Sequence, residues 1–222
     1  MTKQQWLWLR GSALVALLLY ILLWVGWREH WSWLHEVDDS MLDPAHTYGE
    51  EHKGWTSAWN DFCNWFGPWG FQAFALLLAL VEVIRRRYRI AGFLVLAVAC
   101  SLFVVNVAKN IAERHRPSSM LVHAGSWSFP SGHTLGTMAA LLGFSAVALV
   151  LFEEGRSRRW AWIGIALGSL FVLAIGAARV ILNVHHPTDV VAGWLLAYVW
   201  FVLCLPILIG WKPVDAREPV AA

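Results

Sequence analysis

Six long apolar stretches constrain the possible fold more strongly than any other feature of this chain. Each approaches the roughly 20 residues that an α-helix needs to cross the hydrocarbon core of a bilayer. The stretches occupy residues 6–27, 69–84, 90–108, 133–152, 160–182 and 188–210. With 58% hydrophobic and only 14% charged residues, the chain departs from the composition of soluble domains. The sequence predicts an all-α, polytopic membrane protein in which residues 1–222 form a single domain with six transmembrane helices.

The basic residues predict how these helices are oriented. If the helices alternate, the N-terminal segment, the loops at 85–89 and 153–159 and the tail at 212–222 share one face. With Arg10, that face carries 11 of the 17 lysines and arginines, which makes it cytoplasmic. No signal-peptide cleavage pattern follows the first stretch, whose length is typical of a retained anchor. We expect a cell (inner) membrane protein with both termini and the tail in the cytoplasm, whose net charge of +2 reflects topology and not nucleic acid binding.

The first outer loop, residues 28–68, has eight acidic and two basic residues, as suits a translocated segment. Within it, WTSAWNDFCNWFGPWG places its large aromatic residues on one side of a helical projection and its polar residues on the other. This pattern predicts an interfacial helix that ends at Gly67 and Pro68. Its function is either a platform that guides a lipid or a plain membrane anchor. The acidic residues at 36–51 are interpreted as solvated.

Three polar segments interrupt the apolar pattern further along the chain. They are KNIAERHRP at 109–117, FPSGHT at 129–134 and ARVILNVHHPTD at 178–189. Alternating topology puts all three at the outer ends of helices, on the same side of the membrane. Titratable residues at the edge of a bilayer are costly and therefore indicate function. The sequence predicts that the three segments form one site facing the periplasm or the cell exterior.

The first two segments offer groups that bind anions. Lys109 and Arg116 are two helical turns apart, so they face one way on a helix. Ser131 is able to cap the fourth helix, Gly132 permits close approach of a ligand, and His133 follows in the first turn. A helix N-terminus is a natural anion site. The alternatives are basic residues that snorkel to the interface and a simple cap beside an incidental histidine.

The third segment adds a guanidinium, an imidazole and a carboxylate. Arg179 is suited to grip a phosphate with two parallel hydrogen bonds. Asp189, four residues after His185, is placed to fix the tautomer of the imidazole and to free its other nitrogen as a nucleophile. The segment lacks a familiar metal-ligand spacing and its cationic neighbours would repel a divalent ion, so we expect neither a metal nor another cofactor. Cations, a helix N-terminus and two histidines are the groups that phosphoryl transfer without a metal requires.

The order and spacing of these residues resemble the type 2 phosphatidic acid phosphatase superfamily. The resemblance rests on Lys109-x6-Arg116-Pro117, Pro130-Ser131-Gly132-His133 and Arg179-x5-His185-x3-Asp189, set in a six-helix frame. In one departure, Ala178 stands where the family usually has a serine that supports the phosphate. That difference bears on affinity or substrate preference and not on the class of reaction.

The resemblance implies a role for each matching residue. His185 would be the nucleophile that forms a phosphohistidine, held by Asp189. His133 would protonate the leaving oxygen and then activate the water that releases phosphate. The phosphate would be bound by Lys109, Arg116, Arg179, the Ser131 hydroxyl and the Gly132 backbone N–H. His186 is interpreted as a turn residue before Pro187, and Arg114, His115 and His123 as solvated loop residues.

The implied function is metal-independent hydrolysis of the terminal phosphate of a membrane lipid phosphate or pyrophosphate. Candidate substrates are an isoprenyl pyrophosphate, phosphatidylglycerol phosphate or phosphatidic acid, and the expected partners are that lipid and the bilayer. The first alternative is a lipid phosphotransferase on the same scaffold. The second is a membrane protein that binds or transports an anion without catalysis. The sequence does not choose the lipid or the oligomeric state.

Overall fold

The computed structural model describes residues 2–152 and 156–210, with the side chains of residues 156 and 157 excepted. The predicted tail at 212–222 and the first residues of the predicted loop at 153–159 lie outside this part. All secondary structure in the described residues is helical. The helices are α1 (Lys3–Arg28), α2 (Ser32–Glu51), α3 (Lys53–Trp65), α4 (Pro68–Ile84), α5 (Tyr88–Leu94), α6 (Ser101–Ala112), α7 (Gly132–Leu151), α8 (Arg156–Ile181) and α9 (Pro187–Ile209).

Six segments of this structure are long and apolar enough to cross a membrane, which confirms the predicted all-α, six-helix membrane architecture. One span combines α5, a π-helical turn at Val95–Ala99 and α6 into Tyr88–Ala112. A second combines α3 and α4 into Lys53–Ile84. The predicted stretch at 69–84 corresponds to α4, and α3 precedes it in the longer segment, separated from it by the extended Gly67.

Local sequence explains where the helices begin. Thr2 caps α1 by accepting the backbone N–H of Gln5. Gly67 is extended and Pro68 occupies the first turn of α4, where its missing N–H costs nothing. His186 is the N-cap of α9 and Pro187 is its first residue. His186 is therefore a turn residue before the last helix, as the sequence predicted.

The core lies around α9, which packs mainly against α1 and α7. Close approach of α9 to the start of α7 depends on Gly193, where an added Cβ would lie 2.8 Å from the carbonyl oxygen of Ser131. Any larger residue at 193 would push the two helices apart. Because this contact joins the second turn of α9 to the N-cap residue of α7, it determines how the N-termini of the two helices are placed relative to each other.

The first outer loop forms two helices and not one. The predicted helix over residues 55–66 is present as α3, and its chain direction breaks at Gly67 as expected. A further helix, α2, precedes it and packs against α8 and α9. That α3 lies in the membrane interface stays a prediction. The interpretation of all acidic residues at 36–51 as solvated was wrong, because Asp38 is completely buried.

Candidate active site

The three polar segments meet at one end of the helical bundle, where α6 and α8 end and α7 and α9 begin. The backbone N–H of Ser131 donates to the carbonyl of Asp189 at 2.9 Å, which joins the second segment to the third. The backbone N–H of Ser128, the residue just before the second segment, donates to the carbonyl of Arg114 in the first segment at 2.7 Å. The structure thus brings together the residues that the sequence placed on one face.

His185 lies at the centre of this arrangement and is 1% exposed. Its Nε2 is 3.1 Å from Nη1 of Arg116. A guanidinium donates hydrogen bonds and never accepts them, so Nε2 must be the unprotonated nitrogen in this contact. Nδ1 then carries the hydrogen and faces Asp189 Oδ2 at 3.5 Å and Ser128 Oγ at 3.4 Å. This tautomer leaves the lone pair on Nε2, as a nucleophile attacking from that nitrogen requires.

Asp189 is completely buried and uses both of its carboxylate oxygens in hydrogen bonds. Its Oδ2 accepts hydrogen bonds from Ser128 Oγ and from the backbone N–H of His186, and lies 3.2 Å from His186 Nδ1. Its Oδ1 accepts from Nη1 of Arg114 at 2.7 Å. Proximity to Asp189 is therefore common to His185 and His186. The contact that separates the two histidines is the one between His185 and Arg116.

Burial and cations shape the ionisation of the central histidine. Burial lowers the pKa of His185 well below its usual 6.5, the Asp189 hydrogen bond opposes this, and Arg116, Lys109 and Arg179 add to the decrease. The imidazole is therefore neutral at physiological pH. Burial and repulsion from Arg179 lower the pKa of Arg116 to about 10, so its guanidinium stays positively charged there.

Lys109 and Arg116, the two residues of the first segment proposed to bind phosphate, reach the site from different local structures. Lys109 is in the last turn of α6 and donates to the carbonyls of Trp127 and Ser128. Arg116 lies beyond the end of that helix at Ala112, so the predicted placement of both residues on one helical face was wrong. The chain leaves the helix through Glu113, whose φ of 53° is left-handed, and a loop carries Arg116 to His185.

Arg116 is held in place by backbone carbonyls. Its Nε donates to Ser126 at 3.0 Å, its Nη2 to Gly125 at 2.8 Å and its Nη1 to Val184 at 2.6 Å. These contacts tie the loop at 125–126 to the segment that carries His185. They also fix the direction in which the guanidinium presents its charge.

Two of the residues proposed to bind phosphate each carry a buried donor that has no hydrogen-bond partner among the described residues. The donors are Nε of Arg179 and the hydroxyl of Ser131. Ser131 occupies the N-cap position of α7, but its side chain makes no capping bond, so the prediction that its hydroxyl caps the helix was wrong. Unpaired buried donors are costly. An anion that accepts from both would remove that cost.

Gly132 and His133 form the first turn of α7 beside these donors. A Cβ at Gly132 would lie 3.8 Å from Cε of Lys109, so the backbone here is close to the lysine side chain. His133 hydrogen-bonds to the backbone carbonyl of Cys63 in α3 and interacts electrostatically with Arg179, Arg116 and Lys109. The structure thus places all eight residues that the sequence proposed at this end of the bundle.

Three residues that sequence analysis did not select also belong to the site. Ser128 contacts both Asp189 and His185. Arg114 was expected to be a solvated loop residue, but it is 1% exposed and ion-paired with Asp189 and Asp38. The sequence offered one signal for Arg114, a surplus arginine on the predicted outer face, against the positive-inside trend. Local sequence carries no comparable signal for Asp38, which lies 76 residues away.

Ala178, which departs from the family pattern, is also explained in part by packing. It is completely buried in an apolar cluster with Cys63, Leu182 and Val184. Trp59 and Phe62 of α3 pack against the same cluster. The side chain at 178 therefore forms part of the contact between α3 and α8.

Two cavities flank the site. One, of about 470 Å³, is lined by residues that include His115, Arg116, Ser126 and Trp127. The other, of about 300 Å³, is an almost entirely apolar groove between α4, α7 and α8. It extends from Thr137 to Ala148, about 16 Å along α7 at 1.5 Å per residue. Thr137 bonds to the carbonyl of His133, so the groove starts one helical turn from that histidine.

Comparison with known proteins identifies a family. Residues 90–211, more than half of the chain, match the model of the PAP2 superfamily. The match includes most of α5, all of α6 to α9 and all eight proposed site residues. It does not include α2 or α3.

Curated relatives share part of the sequence. An undecaprenyl-diphosphatase of Sulfolobus acidocaldarius is 30% identical over 53% of this chain and 55% of its own length. A phosphatidylglycerophosphatase B of Bacillus subtilis is 39% identical over 44% and 47%. A decaprenylphosphoryl-5-phosphoribose phosphatase of Mycolicibacterium smegmatis is 32% identical over 56% and 62%. The chain thus spans about half the length of the curated relatives it matches.

A solved structure shares the fold. The crystal structure of a transmembrane PAP2-type phosphatidylglycerolphosphate phosphatase from Bacillus subtilis aligns with a TM-score of 0.71. The alignment covers 91% of this chain and 98% of that one at 20% sequence identity. The likeness therefore extends to the N-terminal helices that lie outside the family match.

Proposed function

Because the chain belongs to the PAP2 superfamily, we propose that it hydrolyses the terminal phosphate of a membrane lipid phosphate or pyrophosphate. The reaction uses no metal and passes through a phosphohistidine. The main support is that a buried, neutral His185 lies at the same end of the bundle as two donors without a hydrogen-bond partner, Nε of Arg179 and the hydroxyl of Ser131. These groups supply a nucleophile and a place for the anion that it attacks.

In the first step, Nε2 of His185 attacks the terminal phosphorus and the bond to the leaving oxygen breaks. His133 donates a proton to that oxygen, so the lipid leaves as an alcohol or as a shorter phosphate. The N–P bond leaves the imidazole ring positively charged. Asp189 stabilises that charge through Nδ1–H, which explains why the ring is held in one tautomer.

In the second step, His133 accepts a proton from a water molecule that attacks the phosphorus of the phosphohistidine. The N–P bond breaks, its electrons return to Nε2, and inorganic phosphate is released. His133 is then protonated again for the next substrate. The hydrogen bond from its ring to the Cys63 carbonyl orients the imidazole for both transfers.

Binding of phosphate changes the contacts of Arg116. Its Nη1 donates to Nε2 of His185 in this structure, and the same N–H turns to a phosphate oxygen when the substrate arrives. That exchange exposes the lone pair of Nε2 only when an anion is present. Lys109 and Arg179 complete the neutralisation of the phosphate oxygens, with the backbone N–H of Gly132 as a further donor.

The lipid chain of the substrate lies in the apolar groove between α4, α7 and α8. The groove starts one turn from His133, so a lipid whose phosphate is at His185 has its chain directed into it. The names of the curated relatives include both a polyprenyl and a glycerolipid phosphatase, and such chains share this apolar requirement. The relevant partners are therefore the lipid phosphate and the bilayer.

The function is tested with the purified chain of residues 1–222 in detergent micelles. Undecaprenyl pyrophosphate, phosphatidylglycerol phosphate and phosphatidic acid are supplied separately, without an acceptor and with EDTA present. Release of inorganic phosphate from at least one is expected, because histidine chemistry needs no divalent ion. No release without an acceptor but release of product with one would favour the phosphotransferase. A loss caused by EDTA and reversed by a divalent metal would contradict the mechanism.

The phosphohistidine is tested by rapid acid-free quenching with a substrate labelled in its terminal phosphate. On the parent protein, we expect a label that is stable to alkali and lost in acid. H185A should carry no label. Label that persists in H185A would assign the nucleophile elsewhere. If neither label nor hydrolysis appears with any lipid, the anion-binding or transport alternative stands.

The orientation of the protein is a separate part of the proposal. We place the site on the periplasmic or exterior face and both termini in the cytoplasm, on the basis of the basic residues. Single cysteines introduced at exposed positions Ser57 and Arg86, at opposite ends of α3–α4, are treated with a membrane-impermeant maleimide on intact cells. Labelling at 57 and not at 86 is expected, and the reverse pattern would invert the topology.

A further inference from the structure

Asp38 of α2 connects the first outer loop to the proposed catalytic centre. Its Oδ2 accepts from Nη2 of Arg114 at 2.7 Å. The same arginine donates through Nη1 to Asp189 Oδ1, also at 2.7 Å. Both carboxylates and the guanidinium are almost fully buried. A single arginine thus bridges an acidic residue of α2 to the carboxylate that faces His185.

A second path runs through Thr188. Its backbone N–H donates to Asp38 Oδ1 at 2.9 Å, and its hydroxyl donates to Asp38 Oδ2 at 2.9 Å. That hydroxyl in turn accepts from Nη1 of Arg114 at 2.8 Å. Because Thr188 is in the first turn of α9, Asp38 binds a free N–H of the helix that carries Asp189. Both oxygens of Asp38 are therefore used to hold the start of α9.

The charges of this cluster explain why a second carboxylate is present. A lone Arg114 would neutralise Asp189 and weaken its attraction for the imidazole of His185. With Asp38 on its other side, the guanidinium is shared, and Asp38, Arg114 and Asp189 together retain one negative charge. Such a buried triad is costly unless every member is paired. The pairing leaves Asp189 negative where His185 becomes positively charged.

We propose that Asp38 is a positioning residue for this reaction, acting through Arg114 and Thr188 to keep Asp189 aligned with His185. The inference rests on the proposed phosphatase function. It assigns part of the catalytic apparatus to α2, which lies outside the 90–211 segment matched by the family model. Asp38 touches neither the phosphate nor the reacting atoms, and its effect is transmitted by the two residues it binds.

The test compares D38N with D39N, since Asp39 is the exposed neighbour on the same helix. Size-exclusion profiles and thermal unfolding in detergent first establish that both variants fold. For D38N, kcat is expected to fall about 10- to 100-fold, by analogy with the loss when the hydrogen-bond partner of a metal ligand is removed from a metalloenzyme. KM is expected to change less than about threefold, because phosphate contacts are intact. D39N should match the parent, and a D38N variant with unchanged kcat would overturn the proposal.

A double-mutant cycle establishes whether Asp38 acts through Asp189. D38N combined with D189N is expected to be no slower than D189N alone, because the residue that transmits the effect is already absent. If the losses in kcat of D38N and D189N multiply in the double variant, Asp38 acts independently of Asp189 and the proposed path is overturned. A purely structural role would lower the unfolding temperature without this non-additivity.

A measurement that needs no turnover separates this inference from the proposed function. The ¹⁵N signals of His185 are titrated in the parent and in D38N. The charged groups around the ring are Asp189, Arg116, Lys109 and Arg179. Replacing Asp38 with asparagine removes a negative charge behind them, so the net charge of the surroundings of His185 becomes more positive. The pKa of His185 is expected to decrease further in D38N. An unchanged titration overturns the role of Asp38 even in an inactive protein, whereas an inactive parent overturns the hydrolase.

Discussion

The segment containing the motifs and the first outer loop contribute to the same site in different ways. The motif segment, from Lys109 to Asp189, supplies all the groups proposed to touch the phosphate. The outer loop supplies contacts behind them: α2 binds Arg114 and Thr188 through Asp38, and α3 binds the His133 ring through the Cys63 carbonyl. Residues that perform the chemistry and residues that hold them in place therefore lie in different parts of the sequence, although they are adjacent in space.

The largest effect that this comparison predicts is at the two adjacent histidines. H185A should lose at least about 10⁴-fold in kcat, because no nucleophile remains. H186A should keep activity within about tenfold, because it loses only one of several hydrogen bonds to Asp189. Phosphate release from the same lipid under saturation measures both. Equal losses would contradict the assignment of the nucleophile, since both side chains contact Asp189 in this structure.

Arg114, the link between the two regions, should show the next largest effect. R114A leaves two buried carboxylates without their shared cation, which costs about 3–5 kcal/mol in the free energy of unfolding. A loss of about 10²-fold in kcat is expected as well, since Asp189 loses a charged hydrogen bond of about 2–3 kcal/mol. Thermal unfolding in detergent and steady-state kinetics measure the two effects.

The matched control is R28A, which removes an arginine exposed at the end of α1. Its unfolding temperature and kcat should equal those of the parent. If R114A matched this control in unfolding temperature and in kcat, the contact between Arg114 and Asp189 would contribute to neither stability nor catalysis. The outer loop would then only pack against the bundle.

The pH dependence is a smaller effect that tests the burial of the motif segment. Since the pKa of His185 is lowered, the neutral nucleophile persists as pH falls below 6.5 and is lost only as pH passes through the lowered value. The acidic limb due to His185 in a kcat/KM profile should therefore have its midpoint below 6.5. A midpoint at or above 6.5 would indicate a solvated or negatively biased imidazole and would contradict the cationic surroundings described here.

The smallest expected effect is at Ala178, where α8 meets α3. A178S restores the residue usual in the family, but position 178 is completely buried in an apolar cluster. A serine in a helix can satisfy its hydroxyl on the carbonyl four residues earlier, so we expect kcat within about threefold of the parent. Steady-state kinetics measures this kcat, and the KM from the same experiment shows whether the hydroxyl contributes to binding of the phosphate. A KM decreased more than about tenfold would show that the hydroxyl reaches the phosphate instead.

The sequence predicts the chemical groups of the site better than it predicts their positions and contacts. The eight proposed residues follow from residue type and spacing and from the family resemblance, which the family model confirms. The helical projection of Lys109 and Arg116 failed because α6 ends at Ala112, and the capping role of Ser131 failed because its hydroxyl is unpartnered. Spacing along the chain cannot specify where a helix ends or which way a hydroxyl turns.

The six membrane-spanning helices can be read from local sequence, because their length and hydrophobicity are local properties matched to the thickness of a bilayer. The sequence also determined which residue types were available for phosphoryl transfer, and in what order. Two features depend on how the helices pack: His185 and not His186 contacts Arg116, and Asp38 and Arg114 are buried beside Asp189. The physical reason is that desolvation and hydrogen bonding depend on distance through space, and packing of α2 against α9 brings together groups separated by 150 residues of chain.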